Sequence, residues 1–310
     1  MARLIWLGAM AALFFSSTFV LNRAMSLEGG HWVWSASLRY AFMLPILLAW
    51  TLASGGPKAL REAFGLFGRN PVFWTLAGSI GFGVFYAGIT LAAAFSPGWV
   101  VATTWQSTIL ATPLVLALLG RKVPRKGLAF TGLIFCGIVL VNLEQARGAT
   151  DLGRLWGVAA VLVAALAYPL GNQLVWEARH GGGKRIPRID QPALDAGRTP
   201  TLLLTIGSIP FWLILVAVTH PPAPSQGQVI QTALVALFAG VIATSLFLRA
   251  RSRARTAYEL AATDATQSLE VVFSLLGETL LLAGPWPGLM GVAGITLAVV
   301  GLVLYVCRQV

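Results

Sequence analysis

Apolar stretches of about 20 residues recur ten times along the chain, at roughly 4–24, 32–53, 71–94, 98–119, 127–143, 155–177, 200–219, 228–248, 257–283 and 287–307. That is the length at which a helix crosses the hydrocarbon core of a bilayer. In that core no water reaches backbone N–H and C=O groups, so only helices and closed barrels can span it. A barrel would show segments of about 10 residues with alternating polarity, whereas these runs are continuous. The pattern predicts an all-α membrane protein with ten transmembrane helices. Composition agrees, since 57% of the 310 residues are hydrophobic and 11% charged, against about 25% charged in an ordinary soluble domain.

The connectors set the orientation. Of 22 Lys and Arg residues, 18 fall in the connectors of one set, from Arg3 through Lys58, Arg61 and Arg69, the runs at 121–126 and 179–198, Arg249–Arg255 and Arg308. Arg23, Arg147 and Arg154 occupy the alternate connectors, and Arg39 lies inside the second span. Basic residues are retained on the cytoplasmic side, so both termini are expected to be cytoplasmic, in a multi-pass protein of the inner (plasma) membrane. The net charge of +11 is thereby assigned to topology and to membrane lipid, not to nucleic acid. The first apolar run continues past Val20 without a small-residue cleavage site, which predicts a retained span and not a signal peptide. The longest connector, about 178–199, reads as a flexible basic loop. Cys136 and Cys307 lie in apolar runs and read as small core residues, not as a disulfide framework.

Sliding the chain by about 161 residues superposes Gln106-Ser107 on Gln267-Ser268, Leu114 on Leu275 and Pro124 on Pro285; a shift of about 150 pairs Trp6 with Trp156 and Asn22 with Asn172. Both shifts are close to half the length. With five spans per half, the second half begins on the opposite side. The fold expected is two inverted five-helix repeats, 1–150 and 151–310, as in many secondary transporters.

The ninth span carries carboxylates, in DATQSLEVVFSLLGETLLL from Asp264 to Leu282. A charge at the bilayer centre costs roughly 2.5–3.5 kcal/mol on insertion scales, and intramembrane ionisable residues face the bundle interior. At 100° per residue, Glu259, Asp264, Glu270 and Glu278 fall within an arc of about 140°, together with Thr263, Gln267 and Ser274. The opposite face carries Leu269, Val272, Phe273, Leu276 and Leu280. Glu259 lies near the Arg249–Arg255 run, and Asp264 is placed for a local pair. Glu278 and Arg39 approach the same depth, so an Arg39–Glu278 ion pair is expected to offset part of the cost of burying each. Glu270, near mid-span, has no evident cation. It reads either as a protonated acid hydrogen-bonded to Gln106 or Asn172, or as a site that exchanges a proton for a cationic substrate. A carboxyl withdrawn from water holds its proton more tightly, which suits such exchange.

The fourth span, in TTWQSTILATP, places Thr104, Gln106, Ser107 and Thr108 at membrane depth, with Trp105 beside them. Trp32, Trp34 and Trp99 sit where an interfacial aromatic belt is expected. Gly78, Gly81, Gly83 and Gly88 in the third span, and Gly288, Gly291 and Gly294 in the tenth, are expected to allow close helix contact. Pro45, Pro113, Pro169 and Pro210 are candidate kinks.

Ten spans in halves of five, a basic central loop, and polar faces on the fourth and ninth spans resemble the drug/metabolite transporter superfamily. VVATTWQSTILATP (100–113) and DATQSLEVVFSLLGE (264–278) are similar to its multidrug resistance efflux transporter branch. The resemblance implies an inverted-repeat bundle with a central cavity that exports small organic molecules. The common metabolite-exporter pattern places Gly-Glu at the ends of the fourth and ninth helices, where this chain has Gly120-Arg121 and Gly284-Pro285. That pattern also has Glu-Pro where this chain has Glu270-Val271. The small four-helix relatives carry their acid in the first helix, and the first span here has none.

The expected function is secondary active export of small amphipathic or cationic compounds by proton antiport, with neutral or zwitterionic metabolites such as aromatic amino acids as the alternative. Glu270 is the expected exchange residue. Gln267, Ser274, Gln106 and Trp105 are expected to line the cavity, with Asn22 and Asn172 nearby. No metal or cofactor is expected, and the protein is expected to act as a monomer or homodimer. An enzyme is disfavoured: His31, His180 and His220 all lie in connectors, as do all four lysines, and no HExxH motif is present. A channel is the remaining distant class.

Overall fold

The computed structural model describes residues 1–120, 128–147, 153–181, 186–195, 197–255 and 257–308. The basic cluster at 121–126 and the Lys184-Arg185 pair therefore lie outside the described residues. Among the described residues, ten helices are long and apolar enough to cross a membrane: α1 Ala2–Leu27, α2 Trp32–Arg69, α3 Pro71–Phe95, α4 Gly98–Leu118, α5 Ala129–Arg147, α6 Gly153–His180, α7 Arg198–Thr219, α8 Gln226–Arg251, α9 Ala262–Leu282 and α10 Leu289–Cys307. No β-strand occurs among them.

Hydroxyl side chains inside these helices bond the carbonyl three or four residues back. Ser16 donates to Leu13 O at 2.7 Å, Thr103 to Trp99 O at 2.8 Å, Thr205 to Thr201 O at 2.8 Å and Ser245 to Val241 O at 2.6 Å. This satisfies the polar atom without a partner helix, which is how the apolar spans accommodate Ser and Thr. Outward faces remain apolar, with Leu280 77% exposed. Cys136 and Cys307 are exposed free thiols instead of core residues: in a bilayer, the outer surface is apolar too, so hydropathy does not separate the two.

The helices break elsewhere than at the four prolines. α2 bends at Gly56, whose φ of 66° is available to glycine alone without strain, and Pro57 opens the amphipathic stretch that follows. α3 and α8 each contain a π-helical segment, Ser79–Val84 and Ala236–Ala243. α4 and α9 each tighten for one turn at the same dipeptide. Gln106 N and Ser107 N reach back only three residues, to Thr103 O and Thr104 O, and Thr266–Ser268 is a 3₁₀ turn. The distortions thus recur in the third and fourth helices of each half.

The packing partners of one half recur in the other with the halves exchanged. α5 lies along α10, α2 along α7, and α4 against α9. α1 packs on α8 and α9, while α6 packs on α3 and α4. A close crossing joins α3 to α6, where a Cβ on Gly81 would lie 3.0 Å from Gly171 Cα. Glycine at both positions lets the backbones touch. At the start of α10, the Glu144 carboxylate accepts from Gly288 N at 2.8 Å and Gly291 N at 2.6 Å. A carboxylate from α5 thereby caps the positive end of a neighbouring helix.

The long connector is less loose than its sequence suggests. Ile189 and Leu194 are buried, and Ile189 N donates to Ala178 O at 2.6 Å. Residues 191–193 close a cavity of about 460 Å³ against Lys58, Arg61, Glu62 and Arg69 of the α2 extension. Ile186, Ile189, Ala193 and Leu194, which pack against the core, explain why this segment docks.

Candidate functional site

The inward face of α9 holds the acids. Glu270 is 7% and Glu278 4% exposed, while Leu276 and Leu280 face outward. Arg251 Nη1 holds Asp264 at 2.9 Å on the exposed end, and Glu259 lies 4.0 Å from the amino terminus and accepts from Arg255 N at 2.7 Å.

Glu278 pairs with Arg23, not with Arg39. Its Oε1 lies 3.9 Å from Arg23 Nε, and its Oε2 accepts from Trp99 N at 3.2 Å, at the start of α4. The cause is helix adjacency: α1 lies directly on α9, whereas α2 packs on α7 and α8. Arg23 Nη1 also donates to Ala93 O at 3.1 Å. Trp99 is buried in this junction and is not an interfacial anchor. Arg23, which reads in the sequence as a loop cation, thus ties α1, α3, α4 and α9 together at one end.

Arg39 is left with aromatic neighbours. The residue is 8% exposed, and its guanidinium lies 4.0 Å from the Tyr86 ring centre and 5.8 Å from that of Tyr40. Its Nε is buried without a hydrogen-bond partner, and among the described residues no carboxylate lies within 4.0 Å. A desolvated cation–π contact contributes about 2 kcal/mol, less than the several kcal/mol that burial of an ion costs.

An aromatic wall runs from Arg39 towards α6. Tyr86 neighbours Phe85, whose ring centre is 5.0 Å from Trp105 and 4.9 Å from Tyr168. Tyr168 is 37% exposed and lies within electrostatic range of both Glu270 and Arg39. Asn172 donates to Tyr168 O at 3.0 Å. Among the described residues the Glu270 carboxyl has no cation within 4.0 Å, and no bond joins it to Gln106 or Asn172. Gln106 Nε2 instead donates to Ala102 O at 3.3 Å.

Of the residues selected from sequence, Trp105 and Asn172 contact Tyr168, and Glu270 is buried on the inward face of α9. Asn22 stands at the other end of the wall, donating to Tyr86 Oη at 2.9 Å. Gln267 lies at the tight turn of α9 with its Nε2 unpartnered. Ser274 is fully buried and bonds Glu270 O at 2.6 Å, so it supports the turn that carries the acid. Sequence reasoning missed Tyr86, Tyr168, Phe85 and Asn142, which donates to Thr104 Oγ1 at 2.9 Å across α4 and α5. The available signal was polar-tipped aromatic residues within spans, away from the expected interfacial belts.

Residues 2–310 match the family described as "EmrE: Putative multidrug resistance efflux transporter". The chain belongs to this family. It is therefore a multi-pass membrane protein of a transporter family, and not an enzyme. The uncharacterized protein YjlA of Bacillus subtilis (strain 168) is 39% identical over 317 residues, covering 96% of this chain and 93% of that protein. An uncharacterized 42.1 kDa protein of Shouchella clausii is 38% identical over 261 residues, covering 80% of this chain and 65% of its own length. A solved crystal structure shares the fold with a TM-score of 0.59 at 15% identity, covering 98% of this chain and 96% of that one.

Proposed function

We propose that this EmrE-family protein is a secondary active exporter of small amphipathic organic compounds bearing a cationic group, driven by proton exchange at Glu270. The observation that carries the reading is a carboxyl buried at mid-span that, among the described residues, has no cation within 4.0 Å and no hydrogen-bonded side chain, within electrostatic range of a partly exposed aromatic wall. The ionised form of such an acid needs a positive partner. A proton and a cationic group of the substrate can each supply it, but not together, and that competition is the coupling. Trp105, Asn172, Gln267 and Gln106 line or frame the path, and Asn22 closes its other end.

Alternating access supplies the cycle. The recurring π segments, tight Gln-Ser turns and exchanged packing support two inverted repeats, 1–150 and 151–310. Asn22 is 2% exposed and bonded to Tyr86, while Asn172 is exposed. The burial of Asn22 at that end supports a state closed at the Arg23 end. With the basic connectors cytoplasmic, that state faces the cytoplasm of a cell bounded by this inner membrane, with both termini inside.

The test uses purified protein in liposomes with an imposed pH gradient and an internal pH dye. A lipophilic cationic dye added to wild type is expected to release protons, and Glu270→Gln is expected to abolish the release while remaining folded. Wild-type coupling in that variant would refute the assignment of Glu270.

A further inference from the structure

Past the bend at Gly56, the α2 extension no longer has the pattern of a span. At 100° per residue, Lys58, Arg61, Glu62, Gly65 and Arg69 share an arc of about 100°, and Leu60, Ala63, Phe64 and Phe67 fall on the opposite side. Protein covers that apolar side only in part: Ala63 is buried, whereas Phe64 is 51% exposed. A helix with a basic face and an exposed apolar one lies in the plane of the membrane interface, here at the end of the bundle that carries the basic connectors.

The polar face forms one wall of the cavity of about 460 Å³, and residues 191–193 form the other. The buried Ile189 and Leu194 hold that second wall in place. Among the described residues, Lys58, Arg61 and Arg69 have no carboxylate within 4.0 Å, Glu62 included. Arg188 and Asp190 of the facing connector pair with each other at 3.7 Å. Retention on one side of the membrane accounts for the number of basic residues, but not for three unpaired ones on one walled face. Gly65 adds a second observation. A Cβ there would meet no atom within 4 Å, so packing does not require glycine, and glycine inside a helix is unfavourable relative to alanine. Its effect is to keep the cavity open between the cations.

We propose that this cavity binds the phosphate group of an anionic phospholipid, with Lys58, Arg61 and Arg69 as its receptor. Guanidinium groups hold phosphate oxygens through paired N–H donors, and lysine adds a point charge. Basic pockets at the membrane surface recognise anionic headgroups in this way. The exposed Phe64 on the same helix points to a lipid source, because it lies where acyl chains begin. Glu62 leaves a net charge of two positives on the face and is placed to accept from a headgroup hydroxyl. The bound lipid joins α2, in the first half, to the connector before α7, in the second. This site is separate from Glu270 and does not depend on proton exchange there.

The experiment uses the full chain purified in mild detergent, with bound lipid counted by native mass spectrometry. Phosphatidylglycerol and phosphatidylcholine of identical acyl chains are compared. The variants are Gly65→Leu, the triple variant Lys58→Gln/Arg61→Gln/Arg69→Gln, and a control that removes the same charge from exposed positions elsewhere, Arg3→Gln/Arg253→Gln/Arg255→Gln. Wild type is expected to bind its first phosphatidylglycerol at least tenfold more tightly than phosphatidylcholine. The triple variant is expected to lose that preference, and the control to stay within twofold of wild type. Gly65→Leu fills the cavity and keeps every charge, and is expected to lose at least fivefold of the preference while remaining folded by size exclusion. Equal binding of both lipids by wild type overturns the inference. So does an equal loss in the control, which would make the attraction one of overall charge, or an unchanged preference in Gly65→Leu, which would place the lipid outside the cavity. Displacement of the lipid by an equal concentration of glycerol phosphate would give the site to a soluble phosphate ester and overturn the lipid assignment. The wild-type and Gly65→Leu comparisons decide the matter even where the triple variant does not fold.

Discussion

The Arg23–Glu278 junction permits a quantitative test of the packing at one end of the bundle. Charges 3.9 Å apart attract by about 4 kcal/mol at an effective dielectric of 20, and desolvation of both groups offsets much of that. Arg23 retains its bond to Ala93 O, and Glu278 its bond from Trp99 N, so the net coupling should be about 1–2 kcal/mol. Arg39 and Glu278 share no partner, and residues that do not touch couple by less than about 0.5 kcal/mol. Two double-mutant cycles separate these cases: Arg23→Gln with Glu278→Gln, and Arg39→Gln with Glu278→Gln. Unfolding is followed by helical circular dichroism as SDS displaces a mild detergent from the micelle. The first cycle should yield the stated coupling and the second none above error. A larger coupling in the second cycle would refute the placement of Arg23 between α1 and α9, and with it the account of how that end is closed.

Other perturbations bear on separate elements. Glu144→Ala removes the carboxylate from two N–H groups at the start of α10, and should cost about 1–2 kcal/mol by the same unfolding titration. Asp264→Asn loosens an ion pair that is partly exposed on both sides, and should change stability by less than about 1 kcal/mol. Gly171→Leu drives a branched side chain into the Gly81 backbone, and should prevent accumulation of folded protein in the membrane, read by fluorescence-detected size exclusion. Trp105→Ala removes an aromatic face beside Phe85 and Tyr168, and should weaken cationic-dye binding by about tenfold, corresponding to roughly 1–1.5 kcal/mol.

The sequence alone determined the number and class of helices. Twenty-residue apolar runs have one stable form in a bilayer, because the backbone must satisfy itself. It also located the inward face of α9, since the 3.6-residue period puts Glu270, Ser274 and Glu278 on one side whatever packs there. The Gln-Ser dipeptides were legible as a repeat, and the structure gives each a tightened turn, though nothing in the dipeptide itself announces one. Partner choice was not legible. Arg39 and Glu278 matched in depth, but depth is one coordinate, and an ion pair needs adjacent helices as well. Only the tertiary arrangement, which lays α1 and not α2 against α9, gave Glu278 to Arg23 and left Arg39 stacked on Tyr86 with no carboxylate within 4.0 Å among the described residues. The aromatic wall escaped the sequence for the same reason: Phe85, Trp105 and Tyr168 come from three helices, and their meeting depends on glycine contacts such as Gly81 on Gly171 that bring α3 and α6 together. Hydropathy fixes where a residue lies across the membrane, while helix packing decides which residues it meets there.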